Sequence, residues 1–357
     1  MDFVKVDIDT AAPENPEASI LIIYTGGTIG MVFDEENKHL VPFNFSQIIE
    51  KVPELRQFNF LLTVVSLEPA IDSSNVTIAD WHQLARLVEE NYSYYDGFVI
   101  LHGTDTMAYS ASALSYMLEN LQKPVIFTGA QVPIGRVRTD ARENLISALQ
   151  IAATKINGKS AVPEVCIYFH NLLLRGNRAK KVESSQYNAF KSENYPPLAK
   201  AGVNIDYFWS AVGKHTDYPF RVHYQFDDRV AILKLFPGIT PSMVRSIVEA
   251  PEIRGLVLET FGAGNAPTAP WLLELLGGAI RRDVLILNVS QCDEGRVRQG
   301  NYETSRYLLE LGVIGGADIT TEAAITKLMY VLGQGLPYQE SVLLLEQNLR
   351  GEITIEV

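Results

Sequence analysis

Ile20-Leu21-Ile22-Ile23-Tyr24-Thr25-Gly26-Gly27-Thr28-Ile29-Gly30 is the stretch that decides the fold. An unbroken apolar row ending in two glycines suits a strand covered on both faces, whose chain leaves through backbone angles that side chains disfavour. The same pattern recurs at 61–67, 98–101, 125–128 and 165–169. Between several of these rows, 78–90, 106–121 and 139–156 carry apolar residues at three- and four-residue spacing, the period of a helix packed by one face. Strands alternating with helices predict a parallel sheet with helices over it.

At 200–228 the pattern dissolves into polar and aromatic residues, and a second alternating series then begins. Strands are expected at 230–236, 256–260 and 284–289, with helices at 241–249, after Pro270, and at 322–332 and 338–349. A chain of 357 residues exceeds the size at which one core keeps growing. The fold class is therefore α/β with two α/β domains: a larger N-terminal parallel-sheet domain over 20–205 and a smaller C-terminal parallel-sheet domain over 230–357. A flexible leader at 1–19 and a linker at 206–229 complete the division.

Charge and cysteine usage exclude several classes of function. The formal net charge of −12, without a compact Lys/Arg cluster, repels phosphate backbones, so no nucleic-acid partner is expected. Cys166 and Cys292 are far apart and lack a CxxC partner, which argues against a disulfide framework or zinc cluster. His39, His82, His102, His170, His215 and His223 form no ligand spacing, so no metal is expected. The acidic leader is unlike a signal peptide, and no apolar row approaches the roughly 18 residues of a membrane span. The expected location is cytoplasmic, with no membrane partner.

In open parallel sheets, ligands bind beyond the carboxyl ends of the strands. The loops there are TGGTIG (25–30), DSSN (72–75), HGTDT (102–106) and TGAQ (128–131). Each taken alone has an ordinary explanation, since Asp72, Ser73, Asp105 and Thr106 are good turn and cap formers. Four such loops at one sheet edge place hydroxyls, a carboxylate and close-approach glycines together. The segment GAGNAP (262–267) lacks the third glycine and the later acid of a dinucleotide site; no GxSxG elbow or phosphate loop is present.

TGGTIG, DSS (72–74), HGTDTMAYSASALSYML (102–118), TGAQVP (128–133) and RGNRAKK (175–181) together resemble the bacterial-type L-asparaginases, particularly the cytoplasmic type I branch, from about Ile20 to the carboxyl terminus. The resemblance implies hydrolysis of L-asparagine to L-aspartate and ammonia through a threonine acyl-enzyme, without a cofactor and with minor L-glutaminase activity. It also implies a homodimer or homotetramer built from close dimers. Matched position by position, Thr28 is the nucleophile, Thr104 the second catalytic threonine, and Asp105 the holder of the substrate α-ammonium. Lys181 matches the lysine linked to Thr104 and Asp105, with the adjacent Lys180 as competitor. Ser73 falls at the substrate carboxylate, Gly27, Asp72, Ser74 and Gly103 are further substrate-binding positions, and the Ala130 carbonyl falls near the leaving amide. The amides of Gly27, Thr28 or Thr104 are the candidate oxyanion donors.

Two positions depart from that pattern. The family places a tyrosine on the loop after the first threonine, whereas here His39 or Leu40 stands near that place and no tyrosine occurs between Thr25 and Asn91. Glu259 stands where some type I relatives carry an arginine of a second asparagine site. The competing readings are an ammonia-donating amidotransferase subunit, which would carry a further amino-terminal domain, a non-catalytic amino-acid-binding module, and a self-cleaving threonine amidase. Retention of Thr28, Thr104, Asp105 and Lys181 argues against the binding module, and a single uncleaved band on a denaturing gel would exclude the self-cleaving type.

Overall fold

The computed structural model describes residues 2–34, 39–42, 48–300 and 303–355. It divides into two compact units, one reaching Val222 and one beginning at His223. The first unit is built on β1 (Asp2–Ile8), β2 (Ser19–Gly26), β3 (Leu61–Ile71), β4 (Gly97–Leu101), β5 (Val125–Thr128), β6 (Val165–Phe169), β7 (Leu172–Arg175), β8 (Ala199–Ala201) and β9 (Ile205–Tyr207). They form one sheet in the order β1-β3-β2-β4-β5-β6-β7-β8-β9. From β3 to β6 the neighbours are parallel.

The sheet is mixed rather than purely parallel, because β1 and β7 to β9 add antiparallel strands at its two sides. Part of the expected flexible leader is therefore a strand: alternating residues of 2–8 match the pleat of β3, and Asp7 accepts from Thr63 Oγ1 at 2.7 Å. Within β2, Ile20, Leu21, Ile22 and Ile23 are all fully buried, so both faces of the strand are covered. Full burial of each such side chain contributes about 1.5–3 kcal/mol relative to exposure.

Helices cover this sheet where the apolar period predicts them, the second and third with shorter bounds. α1 (Ile78–Asn91) starts at a capping box in which the Thr77 amide donates to Asp80 at 2.7 Å. α2 (Met107–Met117) stops early because Leu118 and Glu119 pair instead with Arg221 and Val222. α3 (Ala141–Ala153) begins after Thr139, whose hydroxyl accepts from the Ala141 amide at 3.0 Å. Much of the expected linker belongs to this unit too. Phe220 stacks on Tyr92 with centroids 3.9 Å apart, and Gln122 donates to the Thr216 carbonyl at 2.7 Å.

The second unit has β10 (Val230–Lys234), β11 (Gly255–Thr260), β12 (Leu285–Ser290) and β13 (Ile314–Gly315) in that order, all parallel. Its helices are α4 (Pro241–Val248), α5 (Pro270–Ile280), α6 (Glu303–Leu311), α7 (Thr321–Gly333) and α8 (Tyr338–Glu346). The sequence pattern does not announce α6 or β13. Expected to run to 349, α8 ends at Glu346, because the backbone beyond it is claimed by other groups. Lys327 of α7 donates to the Leu345 and Gln347 carbonyls at 2.8 and 2.5 Å, and Glu352 accepts the amides of Leu349 and Arg350 at 3.0 and 2.7 Å.

Candidate active site

β3, β2, β4 and β5 are adjacent and parallel, so the loops that follow them emerge at one edge of the sheet. With β3 on one side of β2 and β4 on the other, the exit of β2 is the switch point at which a crevice opens. Two glycines let the loops meet there. Gly27 has φ +80°, and a Cβ on it would lie 2.5 Å from Gly103 N. A Cβ on Gly103 would lie 2.3 Å from Ser73 Oγ. The first, third and second loops are thus in contact, and Thr28 and Thr104 are the residues next to the touching glycines.

Thr28 opens a short 3-10 turn, Thr28–Gly30, and is half-buried. The turn is braced from β2 by Tyr24, whose hydroxyl donates to the Gly30 carbonyl at 3.2 Å. Burial pushes the Tyr24 phenol up to about 12, so it stays protonated. On the second loop, Asp72 accepts the Ser74 amide at 2.9 Å, and that bond holds its carboxyl below the usual range. Thr106 fixes Ser73 by donating to its carbonyl at 2.7 Å.

Lys181 lies in a short strand pair, Lys180–Lys181 with Phe190–Lys191. Its ammonium donates to Thr104 Oγ1 at 2.8 Å and to Asp105 Oδ1 at 2.7 Å. Of the two neighbouring lysines, Lys181 is therefore the one that joins the threonine and the carboxylate. Thr104 is 8% exposed. Lys181 and Asp105 are open to 19% and 63% along their side chains. The side chains of His39 and Leu40, named for the missing tyrosine, lie outside the described residues. The backbone around them is a hairpin of Met31–Asp34 with His39–Pro42.

Three supporting residues were not singled out from sequence. His102 donates from Nδ1 to the Gly103 carbonyl at 2.7 Å, while its Nε2 accepts from Ser110 Oγ at 3.0 Å. Ser110 in turn accepts from Trp81 Nε1 at 2.9 Å. Desolvation lowers the His102 pKa to about 4, so it is a neutral structural link near the site. Asp140 and Asn144 hold the fourth loop, where Ala130 is buried. An asparagine within the apolar stripe of Ala141, Leu145 and Ala148 is the signal that marks this pair in the sequence. In the second unit, Glu259 accepts from Thr321 Oγ1 at 2.6 Å and faces Lys234 Nζ at 3.6 Å. Among the described residues no group of His, Cys, Asp and Glu is arranged to hold a metal, and no helix is long and apolar enough to cross a membrane.

Fold and loop cluster together define a two-domain α/β amidohydrolase. Residues 19–213 match the family described as "Asparaginase, N-terminal" and residues 229–342 that described as "Glutaminase/Asparaginase C-terminal domain". L-asparaginase 1 of Escherichia coli strain K12 is 41% identical, over 94% of this chain and 98% of its own. The 60 kDa lysophospholipase of Mus musculus is 42% identical over 95% of this chain, which spans 63% of that longer protein. The structure of L-asparaginase I from Vibrio cholerae superposes with a TM-score of 0.86 at 41% identity, covering 95% of this chain and 99% of that one. The chain belongs to the asparaginase family.

Proposed function

We propose that this protein hydrolyses L-asparagine to L-aspartate and ammonia, with Thr28 as nucleophile and L-glutamine as a minor substrate. The observation that carries the reading is Lys181 bridging Thr104 Oγ1 and Asp105 Oδ1, beside the contact between Gly27 and Gly103. A hydroxyl attacks an amide only with a base to take its proton, and a lysine linked to a second hydroxyl offers a path for that proton. An ammonium donating to Thr104 cannot also accept from it. Lys181 therefore acts as a base only after passing a proton on.

Asp105, largely open to solvent, is placed to receive the α-ammonium of the substrate. Ser73 receives its α-carboxylate, with Asp72, Ser74, Gly27 and Gly103 lining the substrate pocket around it. The oxyanion of the tetrahedral intermediate falls to backbone amides of the first and third loops, and the Ala130 carbonyl to the departing amide. No cofactor or metal enters this scheme. Assembly as a homodimer or homotetramer of close dimers and a cytoplasmic location complete the reading. The test is ammonia release from L-asparagine, L-glutamine and D-asparagine at matched concentrations. L-Asparagine should be turned over fastest, and absence of release from all three would overturn the proposal.

A further inference from the structure

The turn carrying Ala130 is held from behind by the start of α3, and the way it is held fixes the direction of Ala130. Asn144, 2% exposed, donates from Nδ2 to the Gly129 carbonyl at 3.0 Å and to Asp140 Oδ2 at 3.2 Å. Its Oδ1 accepts the His170 amide at 3.1 Å, so the amide group of Asn144 is fixed in orientation. Asp140 accepts the amide of Gln131 at 3.1 and 3.0 Å and that of Val132 at 3.0 Å.

The cis peptide found among the described residues joins Glu68 and Pro69, so the bonds of this turn are trans. In a planar trans peptide the carbonyl and the following N–H point opposite ways. With the Gly129 carbonyl turned to Asn144, the Ala130 N–H points away from it. With the Gln131 N–H turned to Asp140, the Ala130 carbonyl points away from α3. The turn also abuts the third loop, since a Cβ on Gly129 would lie 2.5 Å from the His102 carbonyl oxygen.

We propose that Asp140 and Asn144 are positioning residues for acylation, turning the Ala130 carbonyl so that it accepts an N–H of the departing amide. This rests on the asparaginase reading above. In acylation the bond from threonine Oγ to the substrate carbonyl carbon forms and the C–N bond breaks. The proton lost by the hydroxyl ends on the nitrogen, which leaves as ammonia. The N–H groups become stronger donors as that proton arrives, so a fixed acceptor favours the transition state over the ground state. An ester of the same acid has no N–H at that position and gains nothing from the acceptor.

The experiment compares kcat/KM for L-asparagine with that for L-aspartate β-methyl ester, in wild type, Asn144→Ala and the milder Asp140→Asn. Inhibition by L-aspartate and thermal unfolding are recorded alongside. The amide value should fall about 30-fold while the ester value falls less than about 3-fold, with L-aspartate binding retained. If Asn144→Ala fails to fold, Asp140→Asn carries the test. Equal losses on amide and ester, or no loss on either, overturn the positioning role while leaving the asparaginase reading intact. A wild-type protein that releases ammonia from no amide removes that reading, and this proposal with it.

Discussion

Lys181 and Lys327 each hold a carboxylate at 2.7 Å, one in each unit of the chain, yet the two pairs stand in opposite surroundings. Lys327 and Glu352 are both 0% exposed, and besides each other they bind the Leu345 and Gln347 carbonyls and the Leu349 and Arg350 amides. Lys181 and Asp105 are open to 19% and 63%, and the third partner of the lysine is a threonine hydroxyl. A buried pair with all its bonds satisfied fixes the chain that carries it. An open pair that includes a hydroxyl retains capacity for a ligand and for proton movement. Identical distance therefore says little about role, and surroundings say most.

The largest effects should come from the open pair and should appear in activity alone. Thr28→Ala and Lys181→Met are each expected to lower kcat at least ~1000-fold, because one removes the attacking atom and the other the partner of the proton path. Their thermal unfolding should stay closer to that of wild type than that of any variant in the buried pair, since Asp105 is 63% open and solvent weakens its hold on Lys181. Retention by Thr28→Ala of more than a tenth of the activity would remove Thr28 from the role of nucleophile. A comparable result for Lys181→Met would reduce that pair to a structural contact.

The buried pair should show the converse. Lys327→Met leaves a carboxylate uncompensated in the core, which costs about 3–5 kcal/mol of stability, while the folded fraction keeps its specific activity. Burial by itself would raise the Glu352 carboxyl, but the Lys327 ammonium and the amides of Leu349 and Arg350 carry it below the usual carboxylate range. A group depressed on folding stabilises fully above its unfolded value and loses that contribution as pH falls through its folded value. Glu352→Gln should therefore lie furthest below wild type near pH 7 and approach it below about pH 4. Urea midpoints across that range measure this, and a constant gap would mean that the charge of Glu352 is not what holds the segment.

The contrast also explains what was legible in the sequence. The loops at 25–30, 72–75, 102–106 and 128–131 stand out because chemistry demands unusual residues in one place, and the structure brings the first three into contact through Gly27, Gly103 and Ser73. The parallel strands other than β13 were legible from their apolar rows. β1 was not, because Asp2, Lys5 and Asp7 resemble a solvated leader until β3 is there to pair with. β8 and β9 lie in a stretch whose composition resembles a connection, and pairing with β7 and with each other makes them strands. Lys327 and Glu352 carry no local signal, since each looks like an ordinary surface charge and meets its partner only through the tertiary fold. Asn144 was readable in principle, as a polar residue in an apolar stripe.

The smallest predicted effect separates the two units on the pH axis. His102 is fully enclosed and its pKa lies at about 4, below the 6.5 of an open imidazole, chiefly through desolvation. Between those values the unfolded chain binds a proton that the folded chain refuses, so stability rises with pH there and falls as pH is lowered from 6.5 towards 4. Each pH unit within that window changes stability by about 1.4 kcal/mol, which makes the loss between pH 6.5 and pH 5 roughly 2 kcal/mol. His102→Gln removes the ionisable ring, so its stability should vary less with pH over this interval, although it starts lower through loss of the Gly103 and Ser110 bonds. The readout is the difference between wild type and variant in urea unfolding at pH 6.5 and pH 5. A narrowing gap assigns that slope to the first unit, while Glu352 governs the region below pH 4 in the second. A gap that stays constant would mean that the ring takes up its proton within the fold, and the hydrogen bond to the Gly103 carbonyl would then be carried by an imidazolium.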